Sequence, residues 1–149
     1  MAKTRICVFS LSKRDEAFKL GDMKGAKSWL ASKGENPLYF AEKSPKDGLP
    51  SGSIVLFSFD AQIFGQATAK EDVQEVPFEE QEIRRKKGKT VYKHFMVLNG
   101  SSIELFPYNP TKKEIAEQLD IHFGQVFKYL DVHQYQEILR MARMQRRHL

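Results

Sequence analysis

The sequence predicts an α+β fold, a strongly bent sheet or small β-barrel of five to seven strands with about three flanking helices. Short β-branched and aromatic runs recur at close spacing, and two helix starts with capping-box spacing lie in the last third of the chain. The chain has 149 residues, of which 41% are hydrophobic, and this is enough for one buried core. We therefore expect a single domain over residues 1–149, in which residues 140–149 form a basic tail that frays.

The first third combines one strand, one helix and a long loop. Thr4–Phe9 is a β-branched and aromatic run that predicts a strand. Apolar residues at three-and-four spacing predict a helix over Met23–Lys33, and Gly34 is placed to end it. Three prolines between residues 34 and 52 predict mostly loop, with a brief strand at Leu38–Ala41.

The middle of the chain predicts the best core strand and its hairpin partner. Ser53–Phe59 is a nearly continuous apolar run, as in a strand covered on both faces or in a closed barrel. Asp60 and Ala61 separate it from Gln62–Ala69, which predicts a tight hairpin. Gly65 within the second strand indicates a β-bulge or a close backbone approach.

A second hairpin is predicted at Asn99-Gly100, the preferred dipeptide for a type I′ turn, because both central residues need positive φ. Its strands are Val91–Leu98 and Ser101–Phe106. His94 shares a strand face with apolar residues, so we expect a partly buried structural histidine and no metal ligand.

Two capped helices close the sequence. Thr111 and Glu114 have capping-box spacing, and Asp131 and Gln134 repeat it. Residues 122–129 between these helices predict one further strand.

The net charge of +5 is concentrated in local patches. Residues 51–83 carry one basic and seven acidic side chains, and the last ten residues carry four basic side chains. The densest basic cluster comprises Arg84, Arg85, Lys86, Lys87, Lys89 and Lys93, around Gly88. It is either a phosphate-binding patch or a solvated loop whose positive charge balances the negative charge of the preceding acidic run. The arginines of the tail are better explained as the end of a helix, where cations complement the helix dipole.

No spacing of residues indicates catalysis, a metal site or a cofactor. Ser10 and Lys13 match a Ser-x-x-Lys spacing, but the companion motifs of that enzyme class are missing. Cys7, the single cysteine, lies in an apolar strand and is expected to be an inert core thiol. We therefore expect a protein that is not an enzyme and uses neither metal nor cofactor.

The apolar runs are too short to span a membrane, and Met1–Ser10 is too short and too weakly apolar for a signal peptide. With one cysteine no internal disulfide can form. These features predict a cytoplasmic protein that makes no membrane contact.

Two segments resemble the EVE domains of the PUA-like superfamily. Gly52-Ser-Ile-Val-Leu-Phe, followed after a short turn by Ile63-Phe-Gly-Gln-Ala67, is similar to that family's glycine-led strand and its apolar-Gly-apolar partner. Residues 123–130, with Tyr135 and Ile138 beyond them, look like the family's closing strand and final helix. The resemblance covers about residues 4–140, but Cys7, Val8 and Phe9 stand where the family often has a Tyr-Trp pair.

The resemblance implies a bent, barrel-like sheet with a pocket that accepts a modified or extruded base. Aromatic rings would sandwich the base while small polar groups bond its edge. The pocket residues that it implies are Ser10, Ser12, Trp29, Asn36, Tyr39, Ser58 and Asp60. The flanking phosphates would contact Arg84, Arg85, Lys86, Lys87 and Lys89, which position the strand without specifying its sequence.

We therefore expect a DNA- or RNA-binding module, and the resemblance also implies fusion to, or association with, a nuclease. A protein-interaction or regulatory domain, whose basic loop meets an acidic partner, is the alternative. A small hydrolase or transferase built from scattered Asp, His and Ser residues is a third possibility, which the absence of any recognisable spacing disfavours.

Overall fold

The α+β prediction is confirmed. The computed structural model describes residues 3–11, 21–40, 48–123 and 127–144. Within these residues the strands are β1 (Ile6–Leu11), β2 (Leu38–Phe40), β3 (Ile54–Phe59), β4 (Gln62–Thr68), β5 (Gln74–Glu75), β6 (His94–Met96), β7 (Glu104–Leu105) and β8 (Phe127–Leu130). The α-helices are α1 (Met23–Lys33), α2 (Phe78–Lys86), α3 (Lys112–Leu119) and α4 (Val132–Arg143).

The strands form two sheets. The larger has the order β7-β4-β3-β1-β8, and the smaller has the order β2-β6-β5. β1 and β3 are parallel, with Ile6 opposite Ile54 and Ser10 opposite Ser58, whereas β8 is antiparallel to β1. The two parallel strands therefore end side by side.

Apolar side chains pack on both faces of the larger sheet, which explains the continuous apolar run of β3. One face carries Phe9 and Phe57, packed with Phe40 of the smaller sheet and with α1. The other face carries Val8 and Leu56, covered by α3 and α4. Cys7 is fully buried, and burial raises the pKa of its thiol to about 12, so it is the inert core thiol that the sequence predicts.

The hairpin at Asp60-Ala61 is confirmed, and the one at Asn99-Gly100 is wrong. Asp60 and Ala61 both have positive φ, 52° and 59°, as the tight turn between β3 and β4 requires. Asn99 instead has φ −76°, and its side chain accepts a hydrogen bond from the Ser101 backbone at the start of a 3₁₀ turn, Gly100–Ser102. The strands on either side of this turn belong to different sheets, because β6 pairs with β2 and β5 while β7 pairs with β4.

Gly65 has both features that the sequence predicts. The register between β3 and β4 shifts beside it, since Phe57 pairs with Gly65 while Ser58 pairs with Ile63. A Cβ atom on Gly65 would lie 2.7 Å from Leu30 Cδ2 and 2.8 Å from the Glu104 carbonyl oxygen. The missing side chain lets α1 and β7 approach the backbone of β4.

The two capped helices are confirmed, and one helix was not predicted. Thr111 with Glu114 and Asp131 with Gln134 each form a complete capping box. The basic cluster, expected in a loop, begins instead in the last turn of α2, and Glu79 and Glu80 occupy the first turn of that helix. Acidic residues at the start and basic residues at the end suit the helix dipole, which stabilises α2 although none of its residues is buried.

α4 is fixed to the sheet by a polar network. Gln66 of β4 donates to Glu104 Oε1 at 2.9 Å and accepts from the Tyr135 hydroxyl at 2.7 Å. Arg143 binds both carboxylate oxygens of Glu104, at 2.6 and 2.9 Å. Thus Arg143, expected in a frayed basic tail, has a structural partner, while residues 145–149 of that tail lie outside the described residues.

Changing Glu104 to glutamine should reduce stability in a pH-dependent way. Hydrogen bonds from Arg143, and then from Gln66, hold the pKa of Glu104 below its ordinary 4.5. A depressed carboxylate pKa stabilises the fold above the unfolded pKa, and this stability is lost as the pH falls through the folded value. We expect Glu104→Gln to lower the unfolding free energy at pH 7 by about 1 kcal/mol or less, and this loss to shrink towards pH 3.

Urea unfolding at both pH values measures this effect. Glu117→Gln, on an exposed position of α3, is the matched control and should change stability at neither pH. A loss for Glu104→Gln that is equally large at pH 3 would contradict the carboxylate's role.

His94 is partly buried, as predicted, and its ring stacks on Phe40 with centroids 5.8 Å apart. In the described part of the chain no group of three His, Cys, Asp or Glu side chains could hold a metal ion. No α-helix among those residues is both long enough and apolar enough to cross a bilayer.

Candidate nucleic-acid interface

A cleft of about 380 Å³ lies between α2 and the smaller sheet. Its lining combines two tyrosines, three cations, one carboxylate and two aliphatic side chains. These residues are Tyr39, Val76, Glu80, Ile83, Arg84, Lys87, Lys89 and Tyr92. We name it the tyrosine cleft.

The tyrosines are positioned by the strand pairing of the smaller sheet. Tyr39 lies on β2, between the buried Leu38 and Phe40, so its ring points to the other face and stays 37% exposed. Its centroid is 6.0 Å from that of Tyr92 and 5.6 Å from that of Phe95. Because neighbouring rings support it, Tyr39 presents a flat aromatic surface at low cost in conformational entropy.

Three of the predicted phosphate contacts lie at this cleft. Arg84 stacks its guanidinium over the Tyr92 ring, 4.7 Å from the centroid. Lys87 caps the end of α2, and Lys89 follows Gly88, whose φ is +69°. The turn at Gly88 brings Lys89 to the same cleft as Lys87.

The other two predicted phosphate contacts do not line the cleft. Arg85 forms an ion pair with Glu82 on the same helix, and Lys86 is exposed elsewhere on the last turn of α2. The structure therefore divides the five predicted phosphate contacts into three at the cleft and two on the exposed surface of α2.

Trp29 and Asn36 are also separate from the tyrosine cleft. The Trp29 ring packs edge-on against Phe57, with centroids 6.0 Å apart, and Lys33 Nζ lies 5.3 Å from its ring centre. Burial lowers the pKa of Lys33. Asn36 is exposed, and its backbone bonds the Lys33 carbonyl just after α1. Trp29 and Tyr39, which the sequence places in one pocket, thus lie in different surroundings.

A third group forms where the parallel strands end. Ser10 Oγ and Ser58 Oγ are 3.1 Å apart across β1 and β3, and Lys112 Nζ donates to Ser10 Oγ at 2.7 Å. Asp60 is exposed in the adjoining turn. Ser12 and Lys13 lie outside the described residues, so Lys112 is the lysine that the structure shows at Ser10.

Two residues at these sites, Tyr92 and Lys112, were not predicted from the sequence. Tyr92 lies in a strand-like run, and its proximity to Arg84 depends on the fold. Lys112 is the first residue of α3, and a lysine beside a capping box carries no signal of its own. Neither side chain shows a spacing that points to its partner, because both contacts are tertiary.

Solved structures of other proteins share this fold. The chain has the fold of the ASCH protein of Zymomonas mobilis, with a TM-score of 0.63 at 11% identity, covering 93% of this chain and 96% of that one. A mutant of the same protein matches with a TM-score of 0.63 at 12% identity. This match covers 93% of this chain and 99% of the mutant chain. The PUA-like fold that the sequence predicts is therefore confirmed.

A domain of a second protein shares this fold and is bound to DNA. The N-terminal domain of McrB from Thermococcus gammatolerans, bound to m5C DNA, gives a TM-score of 0.59 at 10% identity, covering 93% of this chain and 96% of that domain. No protein-family model matches the chain. No curated protein matches it either.

Proposed function

We propose that the protein is a non-enzymatic nucleic-acid-binding module that holds an unstacked or flipped base, modified in its natural target, in the tyrosine cleft. The observation that carries this proposal is the joining of an exposed aromatic ring and three cations in one cleft. The cleft volume of about 380 Å³ lies within the range of small-ligand pockets.

The chemistry of the lining divides between base and backbone. Tyr39 supplies a stacking surface, which contributes about 1 to 3 kcal/mol per base. Arg84, Lys87 and Lys89 neutralise phosphates, which adds affinity without sequence preference. Glu80 accepts hydrogen bonds, which favours a base with an exocyclic amino group, cytosine, adenine or guanine, over thymine or uracil.

The McrB domain supports the part of the proposal that concerns modification, since a domain of this fold is bound to m5C DNA. Fluorescence anisotropy with labelled single- and double-stranded DNA and RNA, each with and without 5-methylcytosine or N6-methyladenine, tests it. A preference of at least tenfold for one modified oligomer, about 1.4 kcal/mol, is the expected result. Equal binding of every oligomer would contradict recognition of a modified base. Binding would then be explained by the charged surface alone.

Neutralising the two cleft lysines should flatten the salt dependence of binding. Each phosphate contact contributes about 0.7 to 0.9 to the slope of log K against log salt. Lys87→Gln with Lys89→Gln is therefore expected to reduce the slope by roughly 1.4 to 1.8. Anisotropy titrations between low and moderate salt measure it.

The control for this experiment lies on the same helix. Lys86→Gln removes an identical charge that does not line the cleft, and its slope should change clearly less. If the slope falls by the same amount per lysine in the cleft variant and in Lys86→Gln, the basic surface attracts nucleic acid generally. That result would contradict specific phosphate contacts at the cleft.

A protein-binding function is the second candidate, favoured by the exposed apolar residues of α2. Phe78 is 70% exposed and Ile83 is 53% exposed, which is typical of a surface that meets an apolar partner. Competition by free nucleosides distinguishes the two functions, because a base pocket is blocked by them and a protein-docking helix is not.

A further inference from the structure

A second polar site lies away from the tyrosine cleft, on the opposite face of β3 from Phe57. Side chains alternate along a strand, so Ser10 and Ser58 face the side covered by α3 and α4. β1 and β3 are parallel, and both hydroxyls therefore stand near the carboxyl ends of neighbouring strands. Crevices at such strand ends are common ligand sites in α/β proteins.

The hairpin turn brings Lys112 to these hydroxyls. The Lys112 backbone N–H donates to the Ala61 carbonyl at 2.8 Å, and the Ile63 N–H donates to the Pro110 carbonyl at 2.9 Å. These bonds fix the start of α3 beside the end of β3. The backbone of Lys112 is thus fixed by main-chain contacts, and its side chain reaches the hydroxyl of Ser10.

The ammonium of Lys112 lacks a counter-ion in the described part of the chain. Its hydrogen bond goes to the Ser10 hydroxyl, and its Nζ lies 5.5 Å from the centre of the Phe123 ring. Burial lowers the pKa of this lysine, and no carboxylate of the described residues bonds to it. A partly desolvated cation is costly unless it is paired, so the site favours an anion.

The donors and their surroundings select the kind of anion. Lys112 offers the two hydrogens that Ser10 does not accept, and the Ser10 hydroxyl can turn its own hydrogen outwards. Ser58 is buried and holds Ser10 in place. Ser10, Lys112 and Phe123 are partly exposed, so a ligand can reach them. Several donors around one point suit the oxygens of a phosphate group.

We propose that Ser10, Ser58 and Lys112 form a second site, which binds a phosphate group. The phosphate belongs either to a free nucleotide or to the backbone of a bound strand, and the chemistry of recognition is the same. This site is separate from the tyrosine cleft and uses none of its residues.

The test is an NMR titration of protein labelled with ¹³C and ¹⁵N at lysine, followed at the side-chain εCH₂ signals. The Lys112→Gln variant assigns the Lys112 signal by its disappearance. Three probes are added at constant ionic strength: inorganic phosphate, thymidine 5′-monophosphate, and a thymidine octanucleotide without a terminal phosphate. We expect a saturable shift of Lys112 in the millimolar range with inorganic phosphate.

The probes distinguish the two sources of the phosphate. If the mononucleotide shifts the Lys112 signal at a lower midpoint concentration than inorganic phosphate does, the natural ligand is a free nucleotide. If the octanucleotide shifts the signal, the natural ligand is the backbone of a strand. Lys113, exposed next to Lys112 in α3, is the internal control and should shift little and without saturation. Equal shifts at both lysines, or no saturation at Lys112, would overturn the proposal.

Two variants separate this site from its surroundings. Ser10→Ala removes the hydroxyl and should weaken phosphate binding at least fivefold while the Lys112 signal stays visible. Tyr39→Ala, in the tyrosine cleft, should leave the phosphate titration unchanged. A Ser10→Ala protein that keeps its thermal melting curve and binds phosphate as tightly as the parent would refute the site, whatever the oligonucleotides do at the cleft.

Discussion

Replacing Tyr39 with alanine is expected to weaken oligonucleotide binding by roughly 5- to 150-fold, which corresponds to the 1 to 3 kcal/mol of one stacked base. Tyr39 is 37% exposed and lines the cleft, so removal of its ring takes away contact surface for the ligand. It packs beside Tyr92 and Phe95 on the surface of the smaller sheet, and the core beneath β2 stays filled by Leu38 and Phe40. Anisotropy with the best-binding oligomer measures the effect.

Two variants serve as controls for Tyr39→Ala. Tyr39→Phe keeps the ring and should retain most of the affinity, which shows that stacking is the interaction lost. Trp29→Phe changes the aromatic side chain that packs on Phe57 and should leave binding unchanged. If Trp29→Phe weakens binding while Tyr39→Ala does not, the base lies beside α1 and the tyrosine cleft is not its site.

Replacing Gly65 with alanine is expected to destabilise the fold by about 1 to 3 kcal/mol, the usual cost of overpacking. The new methyl group would lie 2.8 Å from the Glu104 carbonyl oxygen, which is backbone, and 2.7 Å from Leu30 Cδ2. Leu30 is fully buried and cannot turn aside without disturbing the core. The strands β4 and β7 would have to separate at their pairing of Gly65 with Leu105.

Urea unfolding compares Gly65→Ala with a matched control. In Gly100→Ala the nearest atoms to the new methyl lie at 3.5 Å, an ordinary contact, and the backbone does not need positive φ there. This variant should lose less than about 1 kcal/mol. Equal losses for both variants would show that glycine matters at these positions through backbone freedom, and the close approach at Gly65 would not be the cause.

Local chemistry in the sequence determined the elements that depend on a few neighbouring residues. The capping boxes at Thr111 and Asp131 form as predicted, because a cap needs only a side chain three residues from its partner. The apolar run of β3 and the glycine of β4 likewise predicted a strand covered on both faces and a close approach. The PUA-like resemblance followed from the order of these segments.

The site residues depended on contacts that the sequence does not display. Ser10 and Ser58, 48 residues apart, were both placed in a pocket and do meet across parallel strands. Trp29 and Tyr39, only ten residues apart, were placed together and lie in different surroundings. Separation along the chain therefore did not predict which side chains share a surface, because strand pairing decides this.

The strongest turn signal in the sequence, at Asn99-Gly100, did not predict the observed turn, because tertiary structure determines how the flanking strands pair. Asn99-Gly100 favours a type I′ turn, yet the strands around it pair in different sheets, and the tight turn with positive φ occurs at Asp60-Ala61 instead. The strain at Ala61 is about 1 to 2 kcal/mol, which the long pairing of β3 with β4 offsets. The sequence by itself determined the fold class and the capped helices, because their causes are local. Only the assembled sheets decided the tyrosine cleft and the partner of Lys112, because burial and strand pairing act over the whole chain.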